Sequence, residues 1–353
     1  MVYPPRPVTA SSTAPRAALV TGGCGFLGRA LVDALAERGD SVTVLDHQVT
    51  PWRSDVQFVR ADVRDPKVID DAVAGQDVVI HNASLVHTKG SRVDLVREVN
   101  LGGTRNVLGA CQRGQVSRLI YVSSASVVYE GADIENGDET LPYARTFPTT
   151  YAETKRIAEE EVLSASGQHG VQTCAVRPHL IFGPADTRFV PAILGRAREG
   201  KLKFKVGRGD WLSDFTYVTN IVDAILSAAD RLTPGSPVAG QAYFITNGEP
   251  ISFWEFVRRI LGPLGFPPPR FALPAGLAYA AAAVRETFDT YVRGGTLHAE
   301  EGLSRFAVRY ITTHHYYSHA KATRDLDYHP RVRLAEGIER TVEYFRDAAQ
   351  PKP

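Results

Sequence analysis

Between Ala17 and Pro178 the chain alternates two hydrophobic rhythms. Short runs are apolar at nearly every position: "AALVT" (17–21), "SVTVLD" (41–46), "VQFVRAD" (56–62), "DVVIHNAS" (77–84), "SRLIYVSSAS" (117–126) and "VQTCAVRP" (171–178). Longer stretches with helical spacing lie between them, from about Phe26 to Arg38, from near Pro66, from Asp94 to Arg113 and from Tyr151. A strand that is apolar throughout is buried on both faces. Strict alternation with helices therefore predicts an α/β fold, a doubly wound parallel sheet of the Rossmann type. Such a sheet binds ligands beyond the carboxyl ends of its strands.

From His179 the pattern becomes irregular and rich in Pro and Gly, which suits a smaller lobe folded over that crevice. "DFTYVTNIVDAI" and "QAYFITN" read as a helix with flanking strands that return to the first lobe, so the lobes interleave. The expected division is 16–178 plus about 214–246 for the dinucleotide-binding lobe, and about 179–213 plus 247–345 for the substrate lobe. Residues 1–15, rich in Pro, Ser and Thr without an apolar core, read as a loose arm.

Charge and cysteine content narrow the class. The 40 basic and 39 acidic residues of the 353 balance to a net +1, which argues against a nucleic-acid partner. Cys24, Cys111 and Cys174 are widely spaced and form no C-x-x-C, so a reducing cytoplasm is the default setting. The apolar run "ALPAGLAYAAAAV" (272–284) is shorter than the ~20 residues that span a bilayer and reads as a buried or half-buried helix. Peripheral, transient membrane contact is the minority reading. His314, His315 and His319 lack an acidic partner at ligand spacing, and no metal site is expected.

Candidate chemistry collects at the strand ends. "VTGGCGFLG" (20–28) closes the first strand and opens the first helix. In that setting Gly22 makes the tight turn, Gly25 admits a pyrophosphate and Gly28 lets helix and sheet approach, with Phe26 and Leu27 in the same loop. Asp46, at the end of the second strand, suits the ribose hydroxyls of NAD and repels a 2′-phosphate; Arg53 keeps NADP open. Asp62 and Val63 are expected at the adenine, and Ala83 and Ser84 on the path to the nicotinamide. "SSAS" (123–126) brings Ser124 into the crevice, and Tyr151 and Lys155 stand one helical turn apart. The lysine charge is expected to lower the tyrosine pKa, so that the phenol exchanges protons near neutrality.

Taken together, "VTGGCGFLG", "VNLGGTRNVL", "YVSSASVVY" and "YAETK" resemble the extended short-chain dehydrogenase/reductases. "AVRPHLIFGP", "LSDFTYVTNIVDAI", "AYFITNGEPISFWEFVRRIL" and "HHYYSHAKATRDLDY" are similar to the 3β-hydroxysteroid dehydrogenase family, in particular its branch that oxidises and decarboxylates sterol 4α-carboxylates. The resemblance implies Tyr151 as proton acceptor, Lys155 as its partner and ribose ligand, Ser124 as second catalytic hydroxyl, and Pro178 among the cofactor contacts. It implies a small hydrophobic substrate; a homodimer is compatible with it. Three other readings stand beside it: an NADP-linked reductase of 2-alkyl-3-oxoalkanoates, a sugar-nucleotide epimerase or dehydratase using Arg196, Arg198 and Lys201, and a non-catalytic NAD binder. The last has no use for a tuned phenol.

Overall fold

The computed structural model describes residues 16–87, 92–292 and 304–349. The expected N-terminal arm lies outside them. Strands β1 (Ala17–Thr21), β2 (Ser41–Asp46), β3 (Gln57–Arg60), β4 (Val78–His81) and β5 (Arg118–Val122) form where the continuous apolar runs predict them. After β6 (Ile134–Gly137) come β7 (Gln172–Pro178), β8 (Ile181–Phe182), β9 (Phe204–Val206), β10 (Leu212–Ser213), β11 (Thr216–Tyr217) and β12 (Gln241–Ile245). The main sheet has seven strands in the order β12-β7-β5-β4-β1-β2-β3, all parallel. The strand order reverses between β1 and β4, and the crevice at that reversal is where such sheets bind ligands.

Helices α1 (Phe26–Glu37), α2 (Pro66–Val73), α3 (Val93–Arg97), α4 (Gly103–Arg113) and α5 (Thr150–Ser164) follow in chain order. The long helix expected from Asp94 to Arg113 is interrupted by a π-helical turn, Glu98–Gly102, which joins α3 to α4. Next come α6 (Phe189–Arg198) and α7 (Val218–Arg231). One face of the sheet packs under α1 and α7, through Leu31, Leu35, Ile221 and Ile225. The other packs under α2, α4 and α5, through Ile69, Val107, Ala158 and Val162.

The return of the chain to this sheet is only half as expected. β12 does join its edge beside β7, but β11 pairs with the short β8 instead. The second lobe has its own core, in which Phe215 and Phe256 stack at 4.0 Å between centroids. That lobe adds β13 (Ile251–Ser252), α8 (Phe253–Leu261), β14 (Phe271–Leu273), α9 (Ala275–Val292), α10 (Arg305–Ile311), β15 (His315–Tyr317), α11 (Ala320–Leu326) and α12 (Leu334–Ala349).

The run 272–284 is half-buried. It forms β14 and the start of α9, and only the Ala278 and Ala282 stripe is buried, against Val206 and Val308. Leu277 (62 % exposed) and Val284 (71 %) face outward. Alanine at most positions offers too little surface to draw the whole helix inward. Among the described residues no helix is long and apolar enough to cross a membrane.

Candidate active site

The glycine loop sits at the reversal point, and its geometry explains its composition. Gly22 has φ +66°, and a Cβ there would lie 2.7 Å from the Ala83 Cα. A Cβ on Gly28 would lie 2.2 Å from the Gly22 carbonyl oxygen. Gly25 is exposed on the open side of the turn and N-caps α1 with no side-chain hydrogen bond. The first N–H groups of α1 are thus left for a ligand, and its dipole favours an anionic one.

Along this crevice runs a cleft of about 1090 Å³. It is lined by Gly22, Gly25, Phe26, Leu27, Asp46, Asp62, Val63, Ala83, Ser84, Ser124, Tyr151, Lys155 and Pro178. Gly28, the remaining residue assigned from sequence, lies buried beneath the loop, as a helix-packing glycine should. The Asp46 carboxylate accepts from the backbone N–H of Cys24 (3.0 Å) and of Gln48 (3.2 Å), which fixes it at the cleft wall. Arg53, which kept NADP open, is engaged by Asp55 (2.7 Å) and Asp33 (3.4 Å) away from the cleft lining. Uncapped helix, glycine cradle and fixed carboxylate together fit a nicotinamide dinucleotide.

Thr149 N-caps α5 by accepting from Ala152 N–H at 3.2 Å, which sets Tyr151 in the first turn and Lys155 one turn deeper. The Lys155 ammonium is buried, donates to the Val122 carbonyl at 2.6 Å and lies 4.6 Å from the centre of the Tyr121 ring. Burial pushes its pKa down to about 7, opposed by Glu159. The Ser124 hydroxyl oxygen accepts from Ser126 N–H (3.2 Å) and Ser126 Oγ (2.9 Å). Its own proton is therefore left to donate, to the Tyr151 hydroxyl beside it or to a substrate oxygen. Ser123, whose buried Oγ has no partner, and Ser126 line the same cleft.

Burial raises the Tyr151 pKa above that of a free phenol in the protein without cofactor, and the Ser124 hydroxyl and the Arg188 charge oppose the rise. The Lys155 ammonium, one turn deeper, donates to the Val122 carbonyl and lies over the Tyr121 ring.

Further residues enter the site without having been assigned from the sequence. Asn100, in the π-helical turn, accepts from Leu85 N–H (2.7 Å) and donates to the Leu85 carbonyl (3.1 Å) and to Thr154 Oγ1 (3.2 Å). It ties the wall after β4 to the helix that carries Tyr151. Asn100 lies in the "VNLGGTRNVL" segment, and the π turn Glu98–Gly102 carries it. Tyr310 also lines the cleft, and its hydroxyl meets His179 Nε2 at 3.0 Å. His315 Nδ1 stands 3.0 Å from the same nitrogen. His315 is therefore part of a buried pair with a partner far away in sequence. His314 Nδ1 accepts from Leu212 N–H, and His319 packs against Tyr328.

Behind Lys155, Glu159 and Arg177 form a buried ion pair, at 2.5 Å, to which Tyr143 adds a hydrogen bond at 2.7 Å. It clamps α5 onto β7 next to Pro178.

Fold and site together define a dinucleotide-dependent oxidoreductase with a tyrosine, lysine and serine constellation. The model of the 3-beta hydroxysteroid dehydrogenase/isomerase family matches residues 19–275. The chain is 39% identical over 334 residues to the mouse (Mus musculus) sterol-4-alpha-carboxylate 3-dehydrogenase, decarboxylating, covering 94% of this chain and 92% of that one. It is also 39% identical over 326 residues to the 2-alkyl-3-oxoalkanoate reductase of Stenotrophomonas maltophilia, covering 91% and 97%. Among solved structures, an epimerase from Methanothermobacter thermautotrophicus superposes with a TM-score of 0.76 at 23% identity, covering 95% of this chain and 94% of that one, which shows a shared fold. The chain belongs to the 3-beta hydroxysteroid dehydrogenase/isomerase family, and is an NAD(P)-dependent oxidoreductase acting on CH–OH groups.

Proposed function

We propose that the protein oxidises the 3β-hydroxyl of a sterol bearing a 4α-carboxylate, with NAD, and releases carbon dioxide and the 3-ketosterol. The observation that carries this reading is the meeting of Tyr151, Ser124 and Lys155 with a wall of Leu85, Leu180, Ile181, Phe189 and Phe306 in one cleft. Polar groups for a carbinol stand at one end of a surface suited to a large apolar body. The likeness to the sterol-4-alpha-carboxylate dehydrogenases supports the choice of substrate.

Gly22, Gly25 and the start of α1 would hold the pyrophosphate, Asp46 the adenosine ribose and Lys155 the nicotinamide ribose. When bound, the nicotinamide supplies the acceptor for the hydride. Tyr151, as phenolate, takes the hydroxyl proton, while Ser124 donates a hydrogen bond to the same oxygen. The product is a ketone β to a carboxylate. Its bond to the carboxyl carbon breaks, carbon dioxide leaves, and the electron pair passes into an enolate. Tyr151 returns its proton to the enolate oxygen, and the enol becomes the ketone. Over the turnover Tyr151 comes back to its starting state.

A reductase acting on 2-alkyl-3-oxoalkanoates is the second reading, favoured by an equal identity to the Stenotrophomonas relative. The sugar-nucleotide reading loses its support, because none of Arg196, Arg198 and Lys201 lines the cleft, and Lys201 is paired with Glu199 at 2.8 Å. A cofactor-coupled absorbance screen decides among them. The 4α-carboxysterol with NAD should be the fastest pair, and faster turnover of a 2-alkyl-3-oxoalkanoate with NADPH would favour the second reading. Asp46→Ala should reduce the preference for NAD over NADP by about tenfold or more, since Asp46 both binds ribose hydroxyls and repels a 2′-phosphate. A wild type that binds NADP more tightly than NAD would refute this assignment of Asp46.

An insoluble substrate has to be collected from a lipid surface. Phe204 (54 % exposed) and Phe271 (58 %) pair on adjacent strands of the second lobe, 5.5 Å between ring centroids, with exposed Lys203 and Arg270 next to them in the chain and exposed Leu277 and Val284 on the helix that follows. We assign to these side chains transient contact with an anionic bilayer. The protein should float with phosphatidylcholine vesicles containing phosphatidylserine, and Phe204→Ser with Phe271→Ser should abolish this. Equal flotation of both forms would exclude the surface.

A further inference from the structure

One cation of the cleft has no assigned task. Arg64 is bound by Asp62 and Glu98, each at 2.8 Å. Arg29 lies 4.4 Å over the Trp52 ring and donates to the Cys24 carbonyl, at the Asp46 end of the cleft. Lys155 is buried against the Val122 carbonyl. Arg188 differs from all three. It lines the cleft at the start of α6, and among the described residues no carboxylate lies within salt-bridge distance of it. Its guanidinium donates only to the backbone carbonyl of Val86, on the opposite wall.

The backbone at Arg188 is held firmly. The Asp186 carboxylate accepts from the N–H groups of Arg188 (2.8 Å), Phe189 (3.1 Å) and Val190 (2.8 Å). Asp186 is therefore occupied in capping α6, and it faces the Arg188 charge without forming a salt bridge with it. Leu85, Val86, Leu180 and Phe189 make the surrounding wall apolar. A carboxylate entering such a wall needs a cation. On a β-hydroxy acid the carboxylate sits on the carbon next to the carbinol, so this cation must stand beside Tyr151. The Arg188 charge is close enough to act on the Tyr151 phenol.

We infer that Arg188 holds the substrate carboxylate and so fixes the neighbouring carbinol against Tyr151 and Ser124. The inference rests on the reading of the substrate as a β-hydroxy acid, and deepens it by naming the residue that distinguishes such an acid from a simple alcohol. The grip is a charge-assisted bond made before oxidation and given up when carbon dioxide leaves. Arginine offers two parallel donors for it, and lysine would offer a single point charge.

The test compares a 4α-carboxy-3β-hydroxysterol with its 4α-methyl counterpart, in wild type, Arg188→Gln and Arg188→Lys. Removing the charge also raises the Tyr151 phenol, which slows both substrates, so the decisive quantity is the ratio of their kcat/KM values. Wild type should prefer the carboxylate. Arg188→Gln should lose roughly 10- to 100-fold of that preference, mostly through KM, and Arg188→Lys should recover part of it. A wild type that oxidises the carboxysterol, with the ratio intact in Arg188→Gln, overturns the inference and leaves the proposed function standing. If wild type instead turns over 2-alkyl-3-hydroxyalkanoates, the sterol reading fails. The ratio of free acid to methyl ester then tests Arg188 in the same way. Turnover of neither acid overturns both.

Discussion

Tyr151→Phe is expected to lower turnover by roughly 100- to 10,000-fold while the protein stays folded and binds NAD as before. The substitution keeps the ring in its place in the first turn of α5 and removes only the hydroxyl that faces the cleft. The size follows from the role: with no phenol the alcohol proton has no acceptor in reach, since the Ser124 oxygen is already occupied by two donors. The pH dependence carries a sign. Oxidation requires the phenolate, and burial holds the phenol above its ordinary value before cofactor binds. The wild-type kcat/KM for the alcohol should therefore rise with pH, and Tyr151→Phe should lose that rise. Steady-state rates across pH, with NAD binding followed by fluorescence and melting by calorimetry, check each part. A folded, NAD-binding Tyr151→Phe protein within a few-fold of wild type would reject Tyr151 as the acid–base group.

Gly28→Ala should act on the other half of the site. The added Cβ would stand 2.2 Å from the Gly22 carbonyl oxygen and 2.7 Å from the Gly23 Cα, and both are backbone atoms that cannot swing aside. Either α1 moves off the sheet or the loop opens, and both distort the anion cradle. The expected cost is about 1–3 kcal/mol of stability, as for other overpacked sites. A weakening of NAD binding by at least about tenfold should accompany it. Denaturant midpoints and NAD titration measure the two effects separately. Unchanged NAD affinity would show that the loop does not depend on this contact.

The parallel sheet was legible because strands buried on both faces leave continuous apolar runs, and β1, β2 and β7 fall within those runs. The glycine loop was legible because its requirement is steric and local. What escaped the sequence depends on distant partners. Nothing near Tyr151 in the chain says that Lys155 donates to a strand carbonyl, or that Arg188, 37 positions further on, lines the same cleft as the phenol. His315 looked like one of three loop histidines, whereas its partner is His179, 136 residues away. The π turn that carries Asn100 has no sequence rule as firm as a helix cap. α9 buries only one stripe because an alanine run is apolar in character yet gains little by burial.

The most direct measurement of the central claim follows two products at once. Purified protein is given a 3β-hydroxy-4α-carboxysterol labelled at the carboxyl carbon, with NAD, and both NADH and labelled carbon dioxide are counted. The account predicts equal amounts of each, with the 3-ketosterol as the organic product and Tyr151→Phe yielding neither. Folded, NAD-binding wild type that forms no NADH from this substrate, or forms NADH and retains the label in the sterol, would contradict it.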